Sequence, residues 1–171
     1  GASPFKKCWE YQFENTVKQS IASTNGTIYL SEAGGKVRAI SAKSSQVLWV
    51  TELGGEIAAS LAIPKVGLAV VAGTPGSAEK TLRLLNFDTG LTRFSVPIAA
   101  SNEVHLGSSG SRLVVMDSSG RAGAYDIDSG TQTWVLNLGV AVSAKPAFRG
   151  QVMAVPTQGK KIYVISNGRV T

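Results

Sequence analysis

The stretch Ala124-Tyr125-Asp126-Ile127-Asp128-Ser129-Gly130-Thr131-Gln132-Thr133-Trp134 decides the reading, because it recurs. An earlier copy runs Ala39-Ile40-Ser41-Ala42-Lys43-Ser44-Ser45-Gln46-Val47-Leu48-Trp49, and a more divergent one runs Leu84-Leu85-Asn86-Phe87-Asp88-Thr89-Gly90-Leu91-Thr92-Arg93-Phe94. Each is a strand, a tight turn and a second strand that carries a large aromatic residue. In Asp88-Thr89-Gly90 and Asp128-Ser129-Gly130, the aspartate is expected to accept local backbone N–H groups, and Gly to take the position with φ > 0. Ser45 replaces that glycine in the first copy, so its turn is expected to be costlier or differently shaped.

Moving outward, the aromatic residues Trp9, Trp49, Phe94 and Trp134 are spaced 40, 45 and 40 residues apart. Twelve residues after each comes a second column, Ile21, Leu61, Leu106 and Pro146, flanked by the small residues Ala22, Ala62, Gly107 and Ala147. Short apolar runs closed by Gly, Asn, Asp, Ser or Pro fill the intervals, with no helical periodicity. Strands rich in small residues suit a place where chains crowd, such as the axis of a radial array. Four strands per 40–45 residues is the pattern of a propeller blade. The expectation is therefore an all-β, single-domain β-propeller over 1–171, with blades at 14–53, 54–98, 99–138, and 139–171 plus 6–13.

The ends bear on closure. Residues 6–13, with Trp9, Tyr11 and Phe13 alternating, read as an aromatic strand without inner strands before it, and Ser166-Asn167-Gly168 reads as the turn of the fourth unit. The expectation is that the N-terminal strand completes the last blade, because closure removes an unpaired edge. Three arrangements remain open: a four-bladed ring in one chain, a homodimer exchanging strands as an eight-bladed ring, or half of a longer propeller. The opening Gly1-Ala2-Ser3-Pro4 reads as a mature start or a cloning scar.

These repeats resemble the PQQ-like repeat, Ala-x-Asp-x-x-Thr-Gly-x-x-x-Trp, across nearly the whole chain, most closely at 124–134. That family includes quinoprotein dehydrogenases and the propeller lipoprotein of the outer-membrane β-barrel assembly machinery. The resemblance implies a propeller fold and a periplasmic or secreted location. It also raises quinone-dependent oxidation, which in the family uses a vicinal cysteine pair, an aspartate base and calcium-ligating carboxylates. Cys8 is the only cysteine and no convergent acidic set is legible, so no cofactor is expected.

Composition narrows the rest. The 171 residues are 43% hydrophobic and 16% charged with a net charge of +6, which excludes a disordered chain, and no apolar run approaches the about 18 residues of a membrane helix. A lone histidine and a lone cysteine supply no transition-metal cluster. Gly107-Ser108-Ser109-Gly110-Ser111 imitates a nucleophile elbow but lies between strands, and the 73–81 stretch lacks both the Gly-Lys pair and the helix of a phosphate loop. Basic residues crowd the last unit without interleaved exposed aromatics, so nucleic acid is not expected as a partner. Asn25-Gly26-Thr27 matches a glycosylation acceptor, yet Asn-Gly as a hairpin turn accounts for it.

Two sets of residues remain as candidate sites. Ser20, Ser60, His105 and Lys145 align, with Glu103 on the same strand face as His105, and would line an axial channel suited to a small polar ligand. Gly73, Thr74, Pro75, Gly76, Ser77 and Lys80 belong to an insertion in the second unit that would form a rim loop. The leading expectation is a non-enzymatic propeller scaffold binding a protein or peptide by that rim or by a strand edge. The alternative is a small-ligand or cofactor-binding protein, a degenerate quinoprotein, using the channel.

Overall fold

The computed structural model describes residues 6–101 and 103–171; the opening tetrapeptide lies outside them. The described residues form sixteen strands and no helix. Blade 1 comprises β1 (Val17–Thr24), β2 (Thr27–Glu32), β3 (Lys36–Ser41) and β4 (Val47–Glu52). Blade 2 comprises β5 (Glu56–Ile63), β6 (Gly67–Gly73), β7 (Glu79–Leu85) and β8 (Thr92–Ala99). Blade 3 comprises β9 (Val104–Ser109), β10 (Arg112–Asp117), β11 (Arg121–Asp126) and β12 (Gln132–Asn137). Blade 4 comprises β13 (Ala147–Arg149), β14 (Val152–Pro156), β15 (Ile162–Ser166) and β16 (Arg169–Val170). Every sheet is an antiparallel meander in chain order, the arrangement that short hairpin connections permit.

Period-2 alternation decides how the sheets stack. In β6, Leu68, Val70 and Ala72 pack with Tyr29, Val37 and Ala39 of blade 1, whereas Ala69 and Val71 pack with Leu113 and Val115 of blade 3. In β10, Val114 and Met116 turn instead to Met153, Val155 and Ile165 of blade 4. Blades 2 and 3 are thus apolar on both faces, and three separate cores lie between consecutive blades. The first strands lie innermost and run in succession, β1 touching β5, β5 touching β9, and β9 touching β13. Crowding there is real: a Cβ on Gly107 would sit 2.1 Å from the Phe148 ring. Among the described residues no contact of similar extent joins β13 back to β1, so the four blades form an open arc rather than a closed four-bladed ring.

The repeated aromatic residues lock each blade to the next. The Trp49 indole N–H donates to the Phe87 carbonyl at 2.9 Å, and the Tyr29 hydroxyl donates to the same oxygen at 3.2 Å. Glycine is needed under these rings for clearance as well as for backbone sign. Gly90 and Gly130 have φ of 71° and 75°, and a Cβ on them would lie 2.4 Å from Trp49 and 2.6 Å from Phe94. Ser45 holds φ 60° at the corresponding place, a left-handed conformation that a serine adopts only at a cost.

Two details of the reading are corrected. The residue that ties each hairpin turn is not Asp88 or Asp128 but the one two places earlier. Asn86 Oδ1 accepts from the Asp88 and Thr89 amides, and Asp126 Oδ1 accepts from those of Asp128 and Ser129. Only the earlier side chain looks back across the turn, as an Asx-turn requires.

The second correction concerns residues 6–13, which pair with no strand of blade 4; β16 occupies the outer position there. They lie instead against blade 1. Trp9 donates to the Ala42 carbonyl at 2.7 Å, the same contact that Trp49 makes one blade further on, and Tyr11 accepts from Arg38 at 3.1 Å. The segment therefore holds the place of a preceding blade's outer strand without the sheet that would pair with it.

Candidate functional site

The connections β2–β3, β6–β7, β10–β11 and β14–β15 gather on one rim with the linkers between blades. Two of its contacts are built from backbone alone. A Cβ on Gly35 would lie 1.9 Å from the Gly55 carbonyl oxygen, and one on Gly55 would lie 2.9 Å from Gly73, so the three chain segments pack with no side chain between them. Onto this platform the β6–β7 hairpin projects, its last pair being Gly73 with Lys80. Its tip is a type II turn, with Pro75 fixing one φ, Gly76 at φ 83°, and the Ser77 amide donating to the Thr74 carbonyl at 3.1 Å. The Ser77 hydroxyl takes the Glu79 amide, and the Ala78 carbonyl takes the Ala100 amide, tying the tip to the linker toward blade 3.

Two clefts flank the hairpin. One, of about 480 Å³, is bounded by Glu56, Ile57, the tip, Lys80 and Ser101. The other, of about 510 Å³, is bounded by Leu53, Glu79, Thr81, Pro97 and Ile98, with Lys80 again in its wall. Lys80 is only 9% exposed, and on β7 it alternates onto the same face as the buried Leu82 and Leu84. Its stem crosses Gly73, where a Cβ would lie 2.9 Å from Lys80 Cγ, and its ammonium donates to the Ser77 carbonyl. The ion pairs among the described residues are Lys7–Glu10, Lys36–Glu52 and Arg38–Glu32, so Lys80 has a carbonyl for a partner and no carboxylate. The methylenes pack in the core side of the hairpin while the charge stays at the cleft wall.

Buried acids on the same rim behave differently. Asp117, 1% exposed, accepts from the Ser101, Ser119 and Arg121 amides and from the Ser119 hydroxyl at 2.6 Å. Glu32, fully buried, takes a bidentate Arg38 whose guanidinium also lies over the Tyr11 and Phe13 rings. Both carboxylates are paired, Asp117 tying the linker at Ser101 to the β10–β11 turn and Glu32 holding Arg38 on the neighbouring strand. Sequence reasoning passed over them, although each ends its strand three residues before a glycine, at Gly35 and Gly120. Clear shifts in proton affinity also sit at packing positions. Burial pushes the Tyr29 and Tyr125 hydroxyls up, and the Glu32 hydrogen bond holds the Arg38 guanidinium up.

The axial column is dispersed. Ser60 pairs with Val70, faces blade 1, and donates to Gln19 at 3.2 Å. His105 pairs with Met116 and so projects toward blade 4. The alignment by spacing slips by one residue between these blades, and in a strand one residue reverses the face. Ser20 is exposed on β1, while Glu103 and Lys145 are exposed in the segments before β9 and β13. Ser60 and His105 therefore do not meet, whereas Gly73, Thr74, Pro75, Gly76, Ser77 and Lys80 are brought together in one hairpin and its clefts. Cys8 is exposed, with its thiol near the Lys6 carbonyl.

Blades of four strands, locked by an outer-strand tryptophan on the next blade's turn, define a β-propeller of PQQ-like repeats. The family model for the outer membrane protein assembly factor BamB matches residues 3–105 and 78–171, and the chain belongs to that family. Its fold is similar to the crystal structure of BamB from Moraxella catarrhalis at 18% identity, with a TM-score of 0.67 over 95% of this chain and 54% of that one. The computationally designed Ika4 protein is similar at 14% identity and a TM-score of 0.72, over 91% of this chain and 93% of that one. The designed Ika8 protein is similar at 12% identity and a TM-score of 0.67, over 92% of this chain and 48% of that one. The chain thus spans about half the length of BamB and of Ika8. No curated protein sequence matches it.

Proposed function

We propose that the chain is a non-enzymatic scaffold of the bacterial envelope, periplasmic or secreted, that binds an extended protein segment at the 73–81 rim. The observation that carries this reading is Lys80, a nearly buried side chain shared by two clefts and forming no ion pair among the described residues. A partner carboxylate entering either cleft would supply a counter-charge. The partner's neighbouring residues would lie along the apolar wall of Ile57 or of Pro97 and Ile98. Membership of a family described as an assembly factor is consistent with such a platform.

The test uses labelled extended peptides that alternate apolar residues with Asp, and their Asn counterparts, in fluorescence anisotropy. Binding of the Asp series, weakened at least about tenfold by Lys80→Met and by replacing 74–78 with a two-residue Asn-Gly turn, is the expected result; a loss of this size is usual for one desolvated charge pair. Equal affinity for Asp and Asn peptides, or unchanged affinity after both substitutions, would overturn the reading.

A further inference from the structure

The blade junctions differ on the rim opposite the 73–81 hairpin, where the β3–β4, β7–β8, β11–β12 and β15–β16 turns lie. Between blades 1 and 2 the blade 2 turn fills the space. Phe87 packs on Tyr29 with 5.3 Å between ring centroids, and its carbonyl takes the Tyr29 hydroxyl and the Trp49 indole N–H. Between blades 2 and 3, Ile127 of the blade 3 turn is buried in the core that holds Phe94. Both turns are long, the Asn86 amide closing on the Leu91 carbonyl and the Asp126 amide on the Thr131 carbonyl. In blade 4 the turn shrinks to Asn167 and Gly168, at φ 51° and 74°, and Ser166 pairs directly with Arg169. A two-residue turn of this kind has no residue to put in the place of Phe87 or Ile127. The tyrosine is missing as well. Opposite the repeat's alanine, Tyr29 stands across from Ala39, but Val114 stands across from Ala124.

The result is a cavity of about 80 Å³ between blades 3 and 4, room for several waters or one small organic group. The buried Val114, Met153 and Ile165 line its inner side, with Trp134, whose ring lies 2.7 Å from where a Gly168 Cβ would be. Arg112, Ser111, Gln151 and Asn167 line the solvent side, and no acidic residue lines either. Arg112 donates to Asn167 Oδ1 at 2.8 Å and forms no ion pair among the described residues. Its cross-strand neighbour Asp126 is engaged by the Asp128 and Ser129 amides and the Ser129 hydroxyl. The indole N–H groups of Trp9 and Trp49 each hold a carbonyl, whereas that of Trp134 has no acceptor among the described residues.

We propose that this cavity binds a carboxylate carried on a short aliphatic group, the charge against Arg112 and the apolar end against Val114, Met153 and Ile165. A guanidinium that holds only a neutral amide oxygen keeps N–H groups for a bidentate carboxylate. The apolar inner side and the small volume restrict the rest of the ligand to a few carbons. Inorganic phosphate would leave that apolar side unused. The site shares no residue with the clefts beside Lys80.

The test follows the indole N–H resonances of the nitrogen-15-labelled chain, with the Trp134 signal assigned by Trp134→Phe. Sodium butyrate is titrated at constant ionic strength against butyramide and sodium chloride. A saturable shift of the Trp134 signal with butyrate, and none with butyramide or chloride, is the expected result. Arg112→Gln should weaken butyrate binding at least about tenfold, as loss of one charge pair does. Val114→Tyr, which returns the ring that blade 1 has, should abolish the shift, and unmoved Trp9 and Trp49 signals show that the variant is folded. N-acetylglycylvaline tells the sources apart: tighter binding than butyrate assigns the carboxylate to a peptide C-terminus, and weaker binding assigns it to a free acid. No saturable shift with either acid, an equal response to butyramide, or unchanged butyrate affinity in Arg112→Gln would overturn the proposal.

Discussion

The junction between blades 2 and 3 and the outward face of blade 4 are written in the same alternation and end in opposite surroundings. At the junction Leu82, Leu84 and Leu113 are fully buried, while Ile162 on the open face is 68% exposed. A two-residue period tells which side chains share a face; it does not tell whether anything covers that face. The difference also separates two sources of stability. Blade 2 is held on both sides, blade 4 on one, so the same truncation should cost unequal amounts. Leu84→Ala removes a buried side chain from a core that cannot collapse from either side, and should lower stability by about 2–5 kcal/mol. Ile162→Ala, measured by urea denaturation, should stay within about 0.5 kcal/mol. Equal losses would mean that the outward face is as well packed as the junction.

The turns sharpen the comparison at smaller scale. Gly130 sits at φ 75° under the Phe94 ring, and Gly76 sits at φ 83° with nothing within 4 Å of a Cβ. An alanine at either pays about 1–2 kcal/mol for the left-handed backbone. Only at Gly130 must the added methyl also displace an aromatic ring, which adds about 1–3 kcal/mol. Gly130→Ala should therefore be the more destabilising of the two by that second amount, read as the difference between their denaturation midpoints. Similar midpoints would show that the glycine serves backbone sign alone and that the interblade lock tolerates bulk.

How far the sequence reveals this molecule depends on the range of the interaction. The blades were legible because the 124–134 pattern and its copies combine a local turn with an aromatic residue at fixed spacing, and both act within a few residues of one another. The 73–81 hairpin was legible for the same reason, since Pro75 and Gly76 mark a turn wherever they occur. The axial column was not, because a one-residue difference between blades 2 and 3 is invisible to spacing and yet sends Ser60 and His105 to opposite faces. Nor was the burial of Lys80. Its composition signals solvent, and only the extra length of β6 and β7 draws its stem beside Leu82. The position of 6–13 was half legible. Trp9 reads as an outer-strand residue, but alternation alone cannot say that it docks on blade 1 with no pairing strand beside it among the described residues.

The smallest expected effect compares the turns of blades 2 and 3, which do the same work with different chemistry. Asn86 in one and Asp126 in the other each accept two backbone amides. Asn86 cannot titrate. The Asp126 carboxyl is held below the usual aspartate range, chiefly by the Ser129 amide and then by the Ser129 hydroxyl, with smaller help from the Asp128 amide and the charge of Arg112. A carboxylate whose folded affinity for protons is reduced contributes stability that is fully present above its unfolded pKa and is lost as pH falls through the folded value. The blade 3 turn should therefore weaken in acid where the blade 2 turn does not. Asp126→Asn should leave the denaturation midpoint near neutral pH almost unchanged, since the amide oxygen can accept the same two N–H groups, and should make the midpoint fall less steeply below about pH 4. Parallel acid limbs for wild type and Asp126→Asn would mean that the turn's hydrogen bonds persist in both protonation states and that the two blades respond to acid alike.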